Sequence, residues 1–380
     1  MTNIRYVDVD GHILEPADLW LDYIEPGFRD RAMRVETDLA GLECWSVDRQ
    51  PISFFSGGTA ADAASIGKDR AWRKENIFDN HRVGWADGLA MNPPAWQPDR
   101  REEMMDEEGI DISILYPSIG LTLPRIKDPE LSAAHCRAYN NWIRDFCREA
   151  PDRLLPAMTL PWGDVQLTVR ELKRTSGVGA RAMKAPNTPP GDMSYGRARW
   201  DPVWSEFVYQ GTPVSLHVGN AGTTVGSILY PEFSLPSWWD FVTGPLDTIL
   251  GFVSFFQGGV FDRFPELRLV VLEAGCAWMP WILDRMDEMQ DVIGFTQESA
   301  LRPSEYFKTQ CWISLEPNDE FGAFAIERLG SDRVLWAYDY PHSDSATEPI
   351  KHLTKLLKGL SHEERSLVAG GNAVELYRLS

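Results

Sequence analysis

At 380 residues and a net charge of −19, from 37 basic against 56 acidic side chains, the chain is poorly suited to nucleic acid or an anionic membrane. Hydrophobic residues make up 43%, enough for one large core, and no stretch is long enough to span a bilayer. Five cysteines (Cys44, Cys136, Cys147, Cys276, Cys311) without paired spacing, and no leader-like amino terminus, predict a cytoplasmic protein with reduced thiols.

The first predicted strand, Tyr6-Val7-Asp8-Val9-Asp10-Gly11-His12, alternates apolar and polar residues. Period two sends Asp8 and Asp10 to one side, the valines to the other, and keeps His12 in phase with Asp10. Helix signals follow over 98–108, stopped by Gly109, and over 129–149, where Asp128 caps and Pro129 sits in the first turn. Strands are predicted at 111–116, 154–160, 179–184, 213–217, 267–272, 311–315 and 334–338. Further helices are expected from Asp164, over 201–209, from near Gly244, and over 319–329, 347–357 and 361–377. Eight strand–helix alternations imply an all-parallel sheet closed into a TIM-type (β/α)8 barrel, distorted, as one domain over 1–380. A doubly wound sheet has less support, because no glycine-rich phosphate loop follows the first strand.

Two stretches break the rhythm, 19–98 and 219–243. Each follows a strand and so belongs to the barrel's carboxyl face, where long loops wall or cover active sites. The first is expected to be an insertion that returns over that face, or across a partner, as a lid.

Strand ends carry the chemistry. Asp10 and His12 end the first strand, His217 the fifth, and Asp339 follows the eighth in Tyr338-Asp339-Tyr340-Pro341-His342. Together they make a mixed nitrogen and oxygen ligand set suited to zinc, manganese or iron(II). A lone histidine at a strand end is more often a core residue than a ligand, so the weight lies on the convergence of four.

The Asp-x-His start with its Leu14-Glu15-Pro16 extension, the His217-Val218-Gly219 strand end, the run Arg263-Phe264-Pro265-Glu266-Leu267, and the Tyr-Asp-Tyr-Pro-His ending carry a resemblance. The chain resembles the amidohydrolase-related family, in particular the branch around aminocarboxymuconate-semialdehyde decarboxylase and the aromatic-acid decarboxylases. That resemblance implies one divalent metal, zinc or manganese, held by Asp10, His12, His217 and Asp339, with Asp339 also able to exchange a proton. An aspartate at position 10, where the zinc decarboxylase carries histidine, shifts the balance towards manganese. His217, Asp339 and Glu273 are the candidate catalytic residues. Relatives often end the sixth strand with a histidine; Glu273 stands there and is open to the roles of base, acid, ligand or ion-pair partner. Lys184 falls where binuclear members carry a bridging lysine, but Glu273 replaces the second histidine such a site needs, so one metal is expected.

Lys184 and Arg181 are candidates to orient a substrate carboxylate, each with a plain salt bridge as the bland alternative. Glu15, His342 and Trp278 are further candidates for the substrate pocket, as are Asp344, Trp238, Trp239 and Trp281; for tryptophans, packing between helices is the commoner fate. Glu15 is equally open to reaching the metal, to holding a ligand histidine from behind, or to being an acid near a positive helix end. His81, His135, His352 and His362 lie away from strand ends and receive no role. The implied function is a decarboxylase acting on a small aromatic or unsaturated acid, in a homo-oligomer, expected to be a dimer. The rivals are a hydrolase using a metal-activated water and, less favoured, a non-catalytic metal-binding barrel.

Overall fold

The computed structural model describes residues 4–37, 41, 43–51, 84–177, 179–187, 194–219, 238–294, 300–317, 319–342 and 345–379, with 238–241 as backbone alone. Eight parallel strands form one sheet in the order β1 (Val7–His12), β5 (Ile112–Tyr116), β6 (Leu154–Thr159), β7 (Ala182–Pro186), β8 (Val214–His217), β9 (Leu269–Leu272), β10 (Cys311–Leu315) and β11 (Val334–Trp336). Hydrogen bonds from Asp339 N–H to the Asp10 carbonyl (2.9 Å) and from His12 N–H to the Tyr340 carbonyl (2.7 Å) bring the last strand's extension back to the first. The result is the nearly closed TIM barrel that the strand–helix alternation predicts.

Helices fall where the sequence signals place them. Asp128 accepts the amides of Glu130 and Leu131 to start the Pro129–Cys147 helix. Gly109 and Gly211, with φ of +79° and +65°, end the Pro98–Glu108 and Asp201–Gln210 helices. The predicted final helix over 361–377 is instead two short helices, His362–Ser366 and Asn372–Leu376, joined by a π-helical turn, Leu367–Gly371. Gly370 explains the break: a Cβ there would meet the Arg5 carbonyl at 2.3 Å, so the chain must bend to lie this close to the barrel's first residues.

The first strand corrects the simple alternation. Its register shifts between Asp8 and Gly11, a β-bulge. Val7 and Val9 join Ile112, Ile114, Leu155, Val270 and Leu335 in the core inside the barrel. Asp8 lies on the outer side, accepting from the Ser113 hydroxyl (2.7 Å) and the Tyr338 amide (2.9 Å). Gly11 shares that side, where a Cβ would meet Ser113 Oγ at 2.2 Å and Asp8 Oδ2 at 2.6 Å. The bulge therefore separates Asp8 from Asp10 and turns Asp10 and His12 inward together.

Of the stretch after β1, residues 52–83 lie outside those described. The rest contains a small antiparallel sheet of β2 (Arg34–Thr37), β3 (Glu43–Val47) and β4 (Gln50–Pro51). Buried Trp20, Trp45 and Trp85 stack edge to face at 5.5 and 5.1 Å, a geometry worth about 1 kcal/mol per pair beyond the area buried. Trp85 Nε1–H donates to the Glu15 carbonyl (2.8 Å) and Leu14 N–H to the Ala95 carbonyl (2.8 Å), so this stretch returns to the carboxyl end of β1. Among the described residues no helix is long and apolar enough to cross a membrane.

Candidate metal centre

The carboxyl ends of β1, β8 and β9 meet at one point, and Asp339, beyond β11, reaches it through His12. His217 Nε2 lies 3.1 Å from Asp10 Oδ1, 3.2 Å from His12 Nε2 and 3.4 Å from Glu273 Oε2. His12 Nε2 lies 3.5 Å from Asp10 Oδ1 and 3.4 Å from Asp339 Oδ1. Ligand bonds of about 2.1 Å at roughly 90–110° put neighbouring donors roughly 3.0–3.4 Å apart, so these separations are those of donors around one cation. Both imidazoles are aimed from behind. His12 Nδ1 faces the Pro117 carbonyl at 2.8 Å and His217 Nδ1 the Val218 carbonyl at 2.7 Å, which turns both Nε2 atoms to the common point. Asp10 Oδ2, fully buried, has no hydrogen-bond partner among the described residues, as an oxygen reserved for an ion would. The donor set fits a divalent cation.

The electrostatics agree. Burial pushes Asp10 up, but His217 and His12 outweigh it and hold the carboxyl below its usual range. Burial drives His12 below its ordinary value; at His217 burial acts the same way, yet Asp10 prevails and holds that imidazole above it. Glu273 and Asp339 both adopt left-handed backbone, with φ of +49° and +58°, a strain of about 1 kcal/mol each for residues other than glycine. Strain of this kind persists where a side chain must point somewhere particular.

His342 completes one wall. Its ring stacks on His12 at 4.0 Å, Nδ1 lies 2.9 Å from Asp339 Oδ1, and Nε2 lies 2.9 Å from Ser118 Oγ. Tyr116 forms the floor, stacked on His217 at 5.3 Å with its hydroxyl donating to Ser215 Oγ.

Other expected site residues are distributed differently. Lys184 is buried in the middle of β7, which runs two residues beyond its expected end, with Nζ 3.4 Å from the Leu121 carbonyl, and burial brings its pKa down to about 7. Arg181 corrects an expectation: it precedes β7 at the amino end of the barrel and is exposed, so it cannot meet a substrate at the opposite mouth. Glu15 turns away too, both oxygens accepting the amides of Ile119 (3.0 Å) and Gly120 (2.8 Å). Trp278 is half-buried at the start of the Trp278–Ile293 helix; its indole N–H donates to the Ala274 carbonyl and its ring packs edge to face on Phe252. That is the packing role rather than a pocket wall. Trp281 is 61% exposed, and Asp344 and the side chains of Trp238 and Trp239 lie outside the described residues.

Sequence reasoning missed Glu316 and Ser118. Glu316 Oε1 accepts from the Ser314 hydroxyl (2.5 Å) and the Glu273 amide (3.2 Å), and burial, with Asp10 and Glu273 nearby, pushes its carboxyl well up. The signal was present, since Glu316 follows β10 just as Asp339 follows β11. Ser118 sits in a turn without any motif.

The fold and the candidate metal centre together define a barrel of the amidohydrolase type. The Amidohydrolase family model matches residues 7–379, and the chain belongs to that family. A relative in Polaromonas sp. (strain JS666), gamma-resorcylate decarboxylase, is 25% identical over 299 residues, 74% of this chain and 87% of that protein. The crystal structure of an amidohydrolase from Mycobacterium avium subsp. paratuberculosis superposes with a TM-score of 0.81 at 22% identity, covering 99% of this chain and all of the other. A dihydroxybenzoic acid decarboxylase from Polaromonas sp. JS666, solved with bound manganese and the inhibitor 2-nitroresorcinol, gives 0.69 at 18% identity over 99% of this chain and 98% of its own.

Proposed function

We propose that the chain is a metal-dependent carboxy-lyase acting on a small aromatic or unsaturated carboxylic acid. The observation that carries this reading is the convergence of Asp10, His12, His217 and Glu273, which Asp339 joins through His12, beside an Asp339–His342 contact (2.9 Å) that continues as a hydrogen bond to Ser118. The decarboxylase activities of the Polaromonas relative and of the manganese-bound structure support it. Carboxylates at Asp10, Asp339 and Glu273 make a hard set around two imidazoles, which favours manganese over zinc. When bound, such an ion supplies a fixed positive charge that holds the substrate's carboxylate oxygens.

The chain's own residues then handle one proton. The Ser118 hydroxyl donates to the Ile13 carbonyl (2.7 Å), so it accepts from His342 Nε2–H. A neutral His342, as its burial favours, then presents Nδ1 as an acceptor to Asp339, and the Asp339–His342 pair shares a proton at the edge of the site. As carbon dioxide leaves, its bonding electron pair stays on the substrate carbon and takes that proton. Glu273, beside His217, orients the substrate; Lys184 lies deeper, against Leu121. Solvent refills the pair after product leaves.

Hydrolysis is the second reading, favoured by the position of Glu273 Oε2, which suits a base for a bound water. Incubating manganese-loaded protein with carboxyl-labelled aromatic acids and collecting labelled carbon dioxide tests the first reading; an acid panel that loses none refutes it. A homodimer is the expected assembly. Val242, Leu246 and Leu250 of the Trp238–Gln257 helix are each about half exposed and lie on one uncharged stripe, which two copies can bury against each other without desolvating an ion. Sedimentation of wild type against Leu246→Glu checks this; a monomeric wild type would exclude it.

A further inference from the structure

The turn after β5 holds more of the site than any motif reveals. Its Pro117 carbonyl faces His12 Nδ1 at 2.8 Å, its Ser118 hydroxyl meets His342 Nε2 at 2.9 Å, and its Leu121 carbonyl takes Lys184 Nζ at 3.4 Å. Three side chains around the centre are thus aimed by one five-residue piece of backbone. That piece is gripped by Glu15, whose Oε2 accepts the Ile119 amide at 3.0 Å and whose Oε1 accepts the Gly120 amide at 2.8 Å.

The grip is costly. Glu15 has no solvent exposure, and among the described residues no Lys, Arg or His forms an ion pair with it. A carboxylate in that position loses its hydration, which the amide hydrogen bonds of Ile119 and Gly120 only partly replace. Burial accordingly raises its pKa to about 7. Gly120 is fitted to the same clamp: a Cβ there would stand 3.2 Å from Glu15 Oε1 and 2.7 Å from the Pro117 Cβ.

We propose that Glu15 is a positioning residue, which fixes the 117–121 turn and thereby aims the imidazoles of His12 and His342. This rests on the reading of His12 as a metal ligand. Glu15 itself touches neither metal donors nor substrate, so its effect passes through the Pro117 carbonyl and the Ser118 hydroxyl. Glu15→Gln keeps the shape but turns an NH2 donor on one of the two amides, which opens that half of the clamp.

The test is manganese affinity of the full chain by calorimetry, with Asn372→Ala as the comparison. Asn372 is buried at the amino end of β11, where its amide donates to the carbonyls of Ser331 (2.7 Å) and Val334 (2.8 Å). Its loss destabilises the barrel at the end remote from the metal. Glu15→Gln is expected to weaken manganese binding by about 10-fold or more, the usual effect of removing an outer partner of a ligand, while Asn372→Ala stays within about twofold of wild type. Equal affinity in Glu15→Gln and wild type, or an equal loss in Asn372→Ala, overturns the proposal. If Glu15→Gln does not fold, Gly120→Ala decides in its place: it wedges the same turn with the carboxylate intact and is expected to weaken manganese binding likewise, and unchanged affinity there overturns the proposal. A wild-type protein that binds no manganese or zinc at one equivalent removes the ligand reading of His12, a failure distinct from either.

Discussion

Glu273→Gln separates charge from shape at the centre. The ligand atoms of Asp10, His12, His217 and Glu273 all lie within 4.8 Å of one another. Two carboxylates that close, at an effective dielectric near 20, repel by about 3 kcal/mol. His217, 3.4 Å from Glu273 Oε2, offsets part of this, leaving a net repulsion of roughly 1–2 kcal/mol in metal-free protein. The glutamine variant should therefore melt about 2 °C higher than wild type in EDTA. With manganese the sign reverses, because the lost charge was attractive to the cation. The metal-induced rise in melting temperature should shrink, and affinity should drop by about 10-fold or more. Scanning calorimetry in EDTA and in manganese reads both numbers from one pair of proteins. A lower melting temperature in EDTA together with an unchanged metal-induced rise would refute the placement of Glu273 against Asp10. Turnover adds a separate result. A decarboxylase in which Glu273 only orients substrate keeps activity within about tenfold under saturating metal, whereas a catalytic base loses about 10²–10⁴.

His342→Gln should lower kcat by about 10²–10⁴ with metal content unchanged, read by steady-state kinetics beside elemental analysis; full activity would remove His342 from proton handling. Gly11→Ala pushes a methyl group into Ser113 Oγ and Asp8 Oδ2 and should cost more than about 2 kcal/mol in urea unfolding, against a null result if β1 relaxes freely. Burial lowers the His135 pKa from 6.5 to about 4, while its Nε2 accepts the Met33 amide. The unfolded chain takes that proton first, so this stability is complete above about pH 6.5 and disappears as pH falls towards 4, by up to about 3 kcal/mol. His135→Gln should flatten the loss between pH 7 and 5; parallel slopes would refute it.

The barrel was legible because each strand is a short apolar run between turn signals, and a parallel sheet covered on both faces requires such runs. The candidate ligand positions were legible for the same reason, since Asp10, His12, His217 and Asp339 all mark carboxyl ends, whereas the approach of Glu273 to the first three depends on its left-handed backbone. The β1 bulge was not: only the close approach of Ser113 and Asp8 to Gly11 reveals it, and no periodicity encodes a steric gap between strands. Arg181 and Lys184 share a strand signal, but which of them reaches the mouth depends on where β7 begins. The break at Gly370 and the reach of Ser118 to His342 across the barrel depend likewise on tertiary approach. Glu316 could have been found by applying the strand-end rule to the seventh strand as strictly as to the eighth.

The central claim is that Asp10, His12, His217 and Asp339 hold a metal that serves decarboxylation. It is tested most directly by incubating manganese-loaded protein with carboxyl-¹³C aromatic acids in ¹⁸O water and following both labels by mass spectrometry. The account predicts ¹³C in released carbon dioxide and no ¹⁸O in the remaining product, with the release of labelled carbon dioxide abolished in His12→Ala. Retention of ¹³C in a product that has gained ¹⁸O would contradict it and make the protein a hydrolase.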